Sequence, residues 1–111
     1  MQKIAIPVLD HKLSPHFASS PLFKIFLVEN EVIVKESLMH LPSRLPESLP
    51  VWLAKKGVTD VITRGIGHGE INLFNQHKIN VFVGVIPDNP NDLVQEYING
   101  TLETHDDQIV N

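Results

Sequence analysis

Asp60-Val61-Ile62-Thr63-Arg64-Gly65-Ile66-Gly67-His68-Gly69-Glu70 reads as an apolar strand, a glycine-rich turn and the start of a helix. The first N–H groups of a helix have no partner within it, so such a turn offers backbone donors at one point. The flanking residues repeat the alternation. Upstream, Ser48 is placed to cap a helix with Pro50 in its first turn and Leu49, Trp52 and Leu53 on one face. Lys55, Lys56 and Gly57 stop that helix, two cations at its negative end and then a glycine C-cap. Val58 to Thr63 is the strand, Glu70 to Lys78 a second helix burying Ile71 and Phe74, and Ile79 to Val85 a further strand. Strands joined through helices run parallel, so this half of the chain predicts a parallel sheet.

Working outward, Lys3-Ile4-Ala5-Ile6-Pro7-Val8-Leu9 is apolar on both alternating faces, as suits a central strand covered on two sides. Pro7 argues against full pairing at its own position, since it has no N–H. Leu22 to Val28 and Val32 to Leu38 flank Glu29-Asn30-Glu31 and predict an antiparallel hairpin. Met39 to Pro46 is a loop. Asn89 with Pro90 opens a last helix whose stripe is Leu93, Val94, Tyr97 and Ile98, and Gly100 ends it. The expectation is one α/β domain over residues 1–100, with a five-stranded mixed sheet and about three helices, followed by a loose polar tail over 101–111. Ligands in such folds sit beyond the carboxyl ends of the strands, where the strand order reverses. If the first and fourth strands are neighbours, the loop Asp10 to Ser20 faces the glycine turn there.

Composition narrows the chemistry. The chain has 111 residues, 42% of them hydrophobic and 20% charged, enough for a core without staples. It has no cysteine, which excludes disulfides, thiolate ligands and thiol nucleophiles. The net charge is −4 and the basic residues are scattered, which argues against nucleic acid. No apolar run reaches the ~20 residues of a membrane span. Met1-Gln2-Lys3 runs straight into a strand and leaves no room for a targeting segment, so the chain is expected in the cytoplasm.

Asp10, Asp60 and Asp88 lie near strand ends but read as turn and cap residues, not a magnesium-binding set. Ser14 and His16 have no orienting acid and do not make a nucleophile with its base. The turn at Gly65, Gly67 and Gly69 can bind an anion, with Arg64 adding charge, or can simply be a tight connection. It lacks the full dinucleotide fingerprint. His77 fits a helix C-terminus.

Several segments together resemble a known family. These are the Lys3-Ile4-Ala5-Ile6-Pro7-Val8 strand, Ser14-x-His16-Phe17, the Pro21-x-Phe23-x-Ile25 strand start, Lys56 to Gly67, Lys78 to Phe82, and Tyr97 to Leu102. In that order they resemble the dinitrogenase iron–molybdenum cofactor biosynthesis family, the small NifX-, NafY- and NifB-C-terminal-like domains. The resemblance implies a ribonuclease H-like three-layer fold. It also implies non-enzymatic binding or carriage of an iron–sulfur or iron–molybdenum cluster, passed between cluster donor and acceptor proteins. On this chain the family's loop falls on Ser14, His16 and Phe17, and its glycine turn on Gly65 and Gly67. His16 is then the candidate metal ligand, with His11 and His68 as further imidazoles. The backbone of Gly65, Gly67 and Gly69 would hydrogen-bond the cluster, and Arg64 would neutralise its charge. The chain departs from the family pattern at Ala18, at His68 and over Leu41 to Pro46. The alternatives are an anion- or small-molecule-binding regulatory module and a scaffold for protein partners.

Overall fold

The computed structural model describes residues 1–110. β1 (Gln2–Leu9) is the centre, and Ile4, Ala5 and Ile6 are wholly buried because helices cover both of its faces. β2 (Lys12–Leu13) folds back on its end, β3 (Leu22–Glu29) pairs with it antiparallel, and β4 (Val32–His40) forms the outer edge. α1 (Leu49–Lys55) crosses over to β5 (Asp60–Ile62), which pairs with β1 in parallel. β6 (Ile66–Gly67) and α2 (His68–Gln76) lead to β7 (Asn80–Phe82), parallel to β5, and α3 (Pro90–Asn99) follows. The main sheet path is β4-β3-β1-β5-β7, with β2 attached to β1. This is the expected mixed sheet with three helices, and the strand order switches sides between the parallel neighbours β1 and β5.

Two cores sandwich the sheet. On one face Leu49 and Leu53 of α1 and Phe74 of α2 pack with Phe17, Phe23, Ile25 and Val61. On the other, Leu93 and Val94 of α3 pack with Ile4, Ile6, Phe26 and Ile62. The alternation of β1 distributes Ala5 to the first core and Ile4 and Ile6 to the second. Pro7 is accommodated because the β1–β5 register ends at Ala5, and its carbonyl accepts the Ser14 N–H at 2.8 Å.

Local signals held where a specific backbone geometry was at stake. The Asn89 side chain accepts the Asn91 N–H at 2.9 Å, Pro90 opens α3, and Gly100 closes it at φ 74°. The hairpin turn uses both Asn30 (φ 51°) and Glu31 (φ 64°) in the left-handed region. Ser48 occupies the N-cap of α1 but its side chain makes no capping bond. β4 runs on through Met39 and His40, which had been expected in the loop, because they continue the ladder opposite Phe23 and Leu22.

Three differences bear on function. Asp10 (φ 52°) and His11 (φ 66°) form the two-residue turn of a β1–β2 hairpin, so the start of the expected loop is regular structure. α2 begins at His68, earlier than Glu70, because Gly67 serves as N-cap and its N–H donates back to the Glu70 carboxylate at 3.2 Å. The segment after Gly100 is not loose. The His105 N–H donates to the Val83 carbonyl at 2.8 Å, and β8 (Ile109–Val110) pairs in parallel with β6. Among its described residues only Leu102, on the second core, and Ile109, on the first, are apolar anchors, which is why its polar composition reads as a free tail. Asn111 lies outside the described residues.

Candidate functional site

Adjacency of β1 and β5 brings two loops together at the carboxyl ends of these strands. The stretch after β2 runs alongside the glycine turn as an isolated parallel bridge between His16 and Gly65. The Gly65 N–H donates to Pro15 at 3.2 Å, and the Phe17 N–H donates to Gly65 at 3.0 Å. Contact is so close that a Cβ on Gly65 would sit 3.0 Å from the Pro15 carbonyl oxygen and 3.8 Å from Nδ1 of His16. The absence of a side chain at Gly65 thus suits the close approach of the two loops, independent of any ligand.

Above the seam is a cavity of about 380 Å³, lined by His16, Phe17, Gly65, Gly67, His68 and Gly69, with Glu70 and Val110 at its margin. This is the lower end of the size range of small-molecule sites. Its floor is Phe17, fully buried, with its ring edge-on to Phe23 (5.6 Å) and to Phe74 (5.5 Å). His16 and His68 are exposed and reach the cavity from opposite sides of the seam. The first turn of α2, through Gly69, supplies the backbone end. A Cβ on Gly69 would meet nothing within 4 Å, so that glycine leaves open space at the helix start.

Three of the expected site residues stand elsewhere. His11 is held in the β1–β2 turn and lines a separate cavity with Asp10, Lys24 and Pro90, on the α3 side of the sheet. A three-histidine set of His11, His16 and His68 is therefore not assembled, and among the described residues no group of three histidine or carboxylate side chains is arranged to hold a metal ion. Arg64 precedes the glycine by one residue, and the alternation of extended chain turns it to a neighbouring cavity shared with Gly84, His105, Asp107 and Gln108. Ser14 is buried. Its hydroxyl donates to the His16 carbonyl at 3.2 Å and receives the His16 N–H at 3.4 Å, so it shapes the loop that carries His16. The three aspartates keep local roles. Asp60 is 2% exposed and accepts from Thr59 Oγ1 at 2.7 Å and Asn80 Nδ2 at 3.0 Å, Asp88 accepts the Asn89 N–H at 2.7 Å, and Asp10 is in a turn. Sequence reasoning missed Val110, for which a two-residue strand gives no periodic signal.

Residues 1–100 match the family described as dinitrogenase iron-molybdenum cofactor. The chain belongs to that family. The uncharacterized protein MJ0580 of Methanocaldococcus jannaschii is 29% identical over 87 residues, covering 74% of each chain. The crystal structure of PH0822 superposes with a TM-score of 0.87 at 29% identity, covering 96% of this chain and 97% of that one. The apo form of the orange protein from Desulfovibrio gigas superposes at 0.70 with 19% identity, covering 96% and 94%. At the lower identity the likeness is one of fold. Within the family's domain, the glycine turn and the His16 loop share one cavity.

Proposed function

We propose that this protein binds and carries a preassembled iron–sulfur or iron–molybdenum type cluster in the cavity between His16 and His68, without catalysing a reaction. The observation that carries the reading is the convergence of these two imidazoles and the start of α2 on one open cavity in a chain of this family. A naked ion needs three or four protein ligands for a closed site. A preassembled cluster brings its own bridging sulfides, so one or two imidazoles and backbone donors suffice, and a donor set without thiolates suits reversible transfer to an acceptor protein. The helix start favours the anionic charge of such a cargo. Two helices on one face and one on the other fit the ribonuclease H-like arrangement, and the carrier role fits a cytoplasmic protein; no helix of the described residues is long and apolar enough to cross a membrane.

Anaerobic titration of the purified protein with an iron–sulfur cluster, followed by visible absorption, tests this. Saturable uptake that is reduced in His16→Ala and further reduced in the double variant with His68→Ala is expected. Wild-type protein that takes up no cluster would overturn it. A second reading, an anionic small molecule held by the same helix start, is favoured by the open space at Gly69. It predicts colourless binding that weakens with salt.

A further inference from the structure

The segment 105–110 contributes to two separate cavities near Gly65. Val110 forms a wall of the cavity at His16 and His68, while His105, Asp107 and Gln108 line the adjoining cavity of about 270 Å³ that contains Arg64. The segment passes close to Gly65, where a Cβ would lie 3.8 Å from the Gln108 carbonyl oxygen and 3.8 Å from His16 Nδ1. The wall is lightly held. Its attachments are the His105 N–H to Val83 bond at 2.8 Å, the two-residue pairing of β8 with β6, and the half-buried Ile109, while Val110 is 61% exposed. Elements with so few buried contacts open well below the global unfolding free energy. The seat is also specific. A Cβ on Gly84, which sits at φ 74°, would overlap the carbonyl of His105.

We propose that residues 105–110 are a displaceable wall that sets the size and charge of what the trough accepts. Docked, the wall confines the site to the His16–His68 cavity and keeps Arg64 beside Asp107. Displaced, it joins the two cavities and brings the Arg64 guanidinium onto the floor of a larger, more cationic trough that takes polyanions. This deepens the cargo reading of the same site and rests on it for the identity of the natural ligand, but its mechanics are tested without that ligand.

Inorganic pyrophosphate is the probe, titrated calorimetrically at low ionic strength into wild type, Gly84→Ala and Ile109→Ser, each alone and combined with Arg64→Gln. Amide exchange at His105 reports wall opening independently. Gly84→Ala blocks the seat and Ile109→Ser removes the apolar anchor, so one remains informative if the other does not fold. Both are expected to speed His105 exchange at least tenfold and to bind pyrophosphate at least tenfold tighter than wild type, with the gain lost on adding Arg64→Gln. Faster exchange with no gain in binding, a gain that survives Arg64→Gln, or exchange unchanged in both variants would each overturn the proposal. Wild-type cluster uptake is read separately: if it is absent while the pyrophosphate gain appears, the cluster reading fails and the wall stands.

Discussion

The amide of Phe17 donates to the carbonyl of Gly65 at 3.0 Å, and this one bond ties the floor of the cavity to its rim. Phe17 belongs to the aromatic core and Gly65 to the glycine turn, so distortion of either displaces both.

Gly65→Ala places a methyl 3.0 Å from the Pro15 carbonyl, a backbone atom that cannot rotate away. The seam must widen, at a cost of about 1–3 kcal/mol, typical of overpacking. Urea unfolding should show a lower midpoint at unchanged slope, and cluster uptake should fall with it. An unchanged midpoint would mean the seam yields freely.

Phe17→Ala empties the centre of the Phe17, Phe23 and Phe74 group and should cost about 3–5 kcal/mol. Phe17→Leu should cost clearly less, because most of the volume remains. If uptake in Phe17→Leu matches wild type, the ring supports the site without touching its ligand.

Gly69→Ala separates ligand contact from folding. The Cβ meets nothing, so stability should hold or rise by up to about 1 kcal/mol as the unfolded chain loses freedom. Uptake should weaken if the ligand approaches the first turn of α2 closely. Undiminished uptake would move the ligand away from the helix start.

Much of this arrangement was legible in the sequence. The sequence raises the neighbouring of β1 and β5 only as a condition for the His16 loop and the glycine turn to meet, and the parallel pairing of these strands fulfils it. Arg64 was misread because its side depends on the register of a single extended residue, which no local pattern fixes. His11 was misread because a left-handed Asp-His pair carries no glycine to announce a hairpin. The docked segment 105–110 was invisible because its pairing is two residues long and one anchor, Ile109, joins it to the core. The early start of α2 was hidden because a glycine N-cap lacks the side chain that marks most helix starts.

Asp60→Ala should cost about 1 kcal/mol, since it removes the buried carboxylate that accepts from the Thr59 hydroxyl and the Asn80 amide, while the hydroxyl keeps the Lys3 carbonyl as an acceptor and the exposed Asn80 turns to water. It lies at the amino end of β5, away from the cavity, so uptake by the folded fraction should be unaltered. Uptake lost in fully folded protein would show that the site is coupled across the sheet.

Tyr97 carries a pH signature. Burial, and then the charge of Asp60 and a hydrogen bond to it, raise its hydroxyl above the ordinary value of 10.0. The unfolded chain gives up this proton first, so the contribution is fully present below the ordinary value and is lost as pH rises through the folded one. Unfolding midpoints measured from about pH 9 to 11 should therefore fall less steeply in Tyr97→Phe than in wild type. Parallel curves would remove Tyr97 from the alkaline response.

The pairing of β1 with β5 also sets a timetable. β3 and β4 join through a tight hairpin and β1 reaches β3 through the Asp10 to Pro21 connection, whereas the Lys3 N–H reaches Thr59 Oγ1 across 56 residues of chain. Closing so long a loop carries an entropic cost before its contacts form, which makes it the slow event in assembly. The His16 loop and the glycine turn meet only when that loop has closed. A nascent or partly refolded chain therefore offers no receptor for cargo, and loading follows synthesis. Stopped-flow refolding with cluster present should show colour appearing no earlier than the slow phase of Trp52 fluorescence.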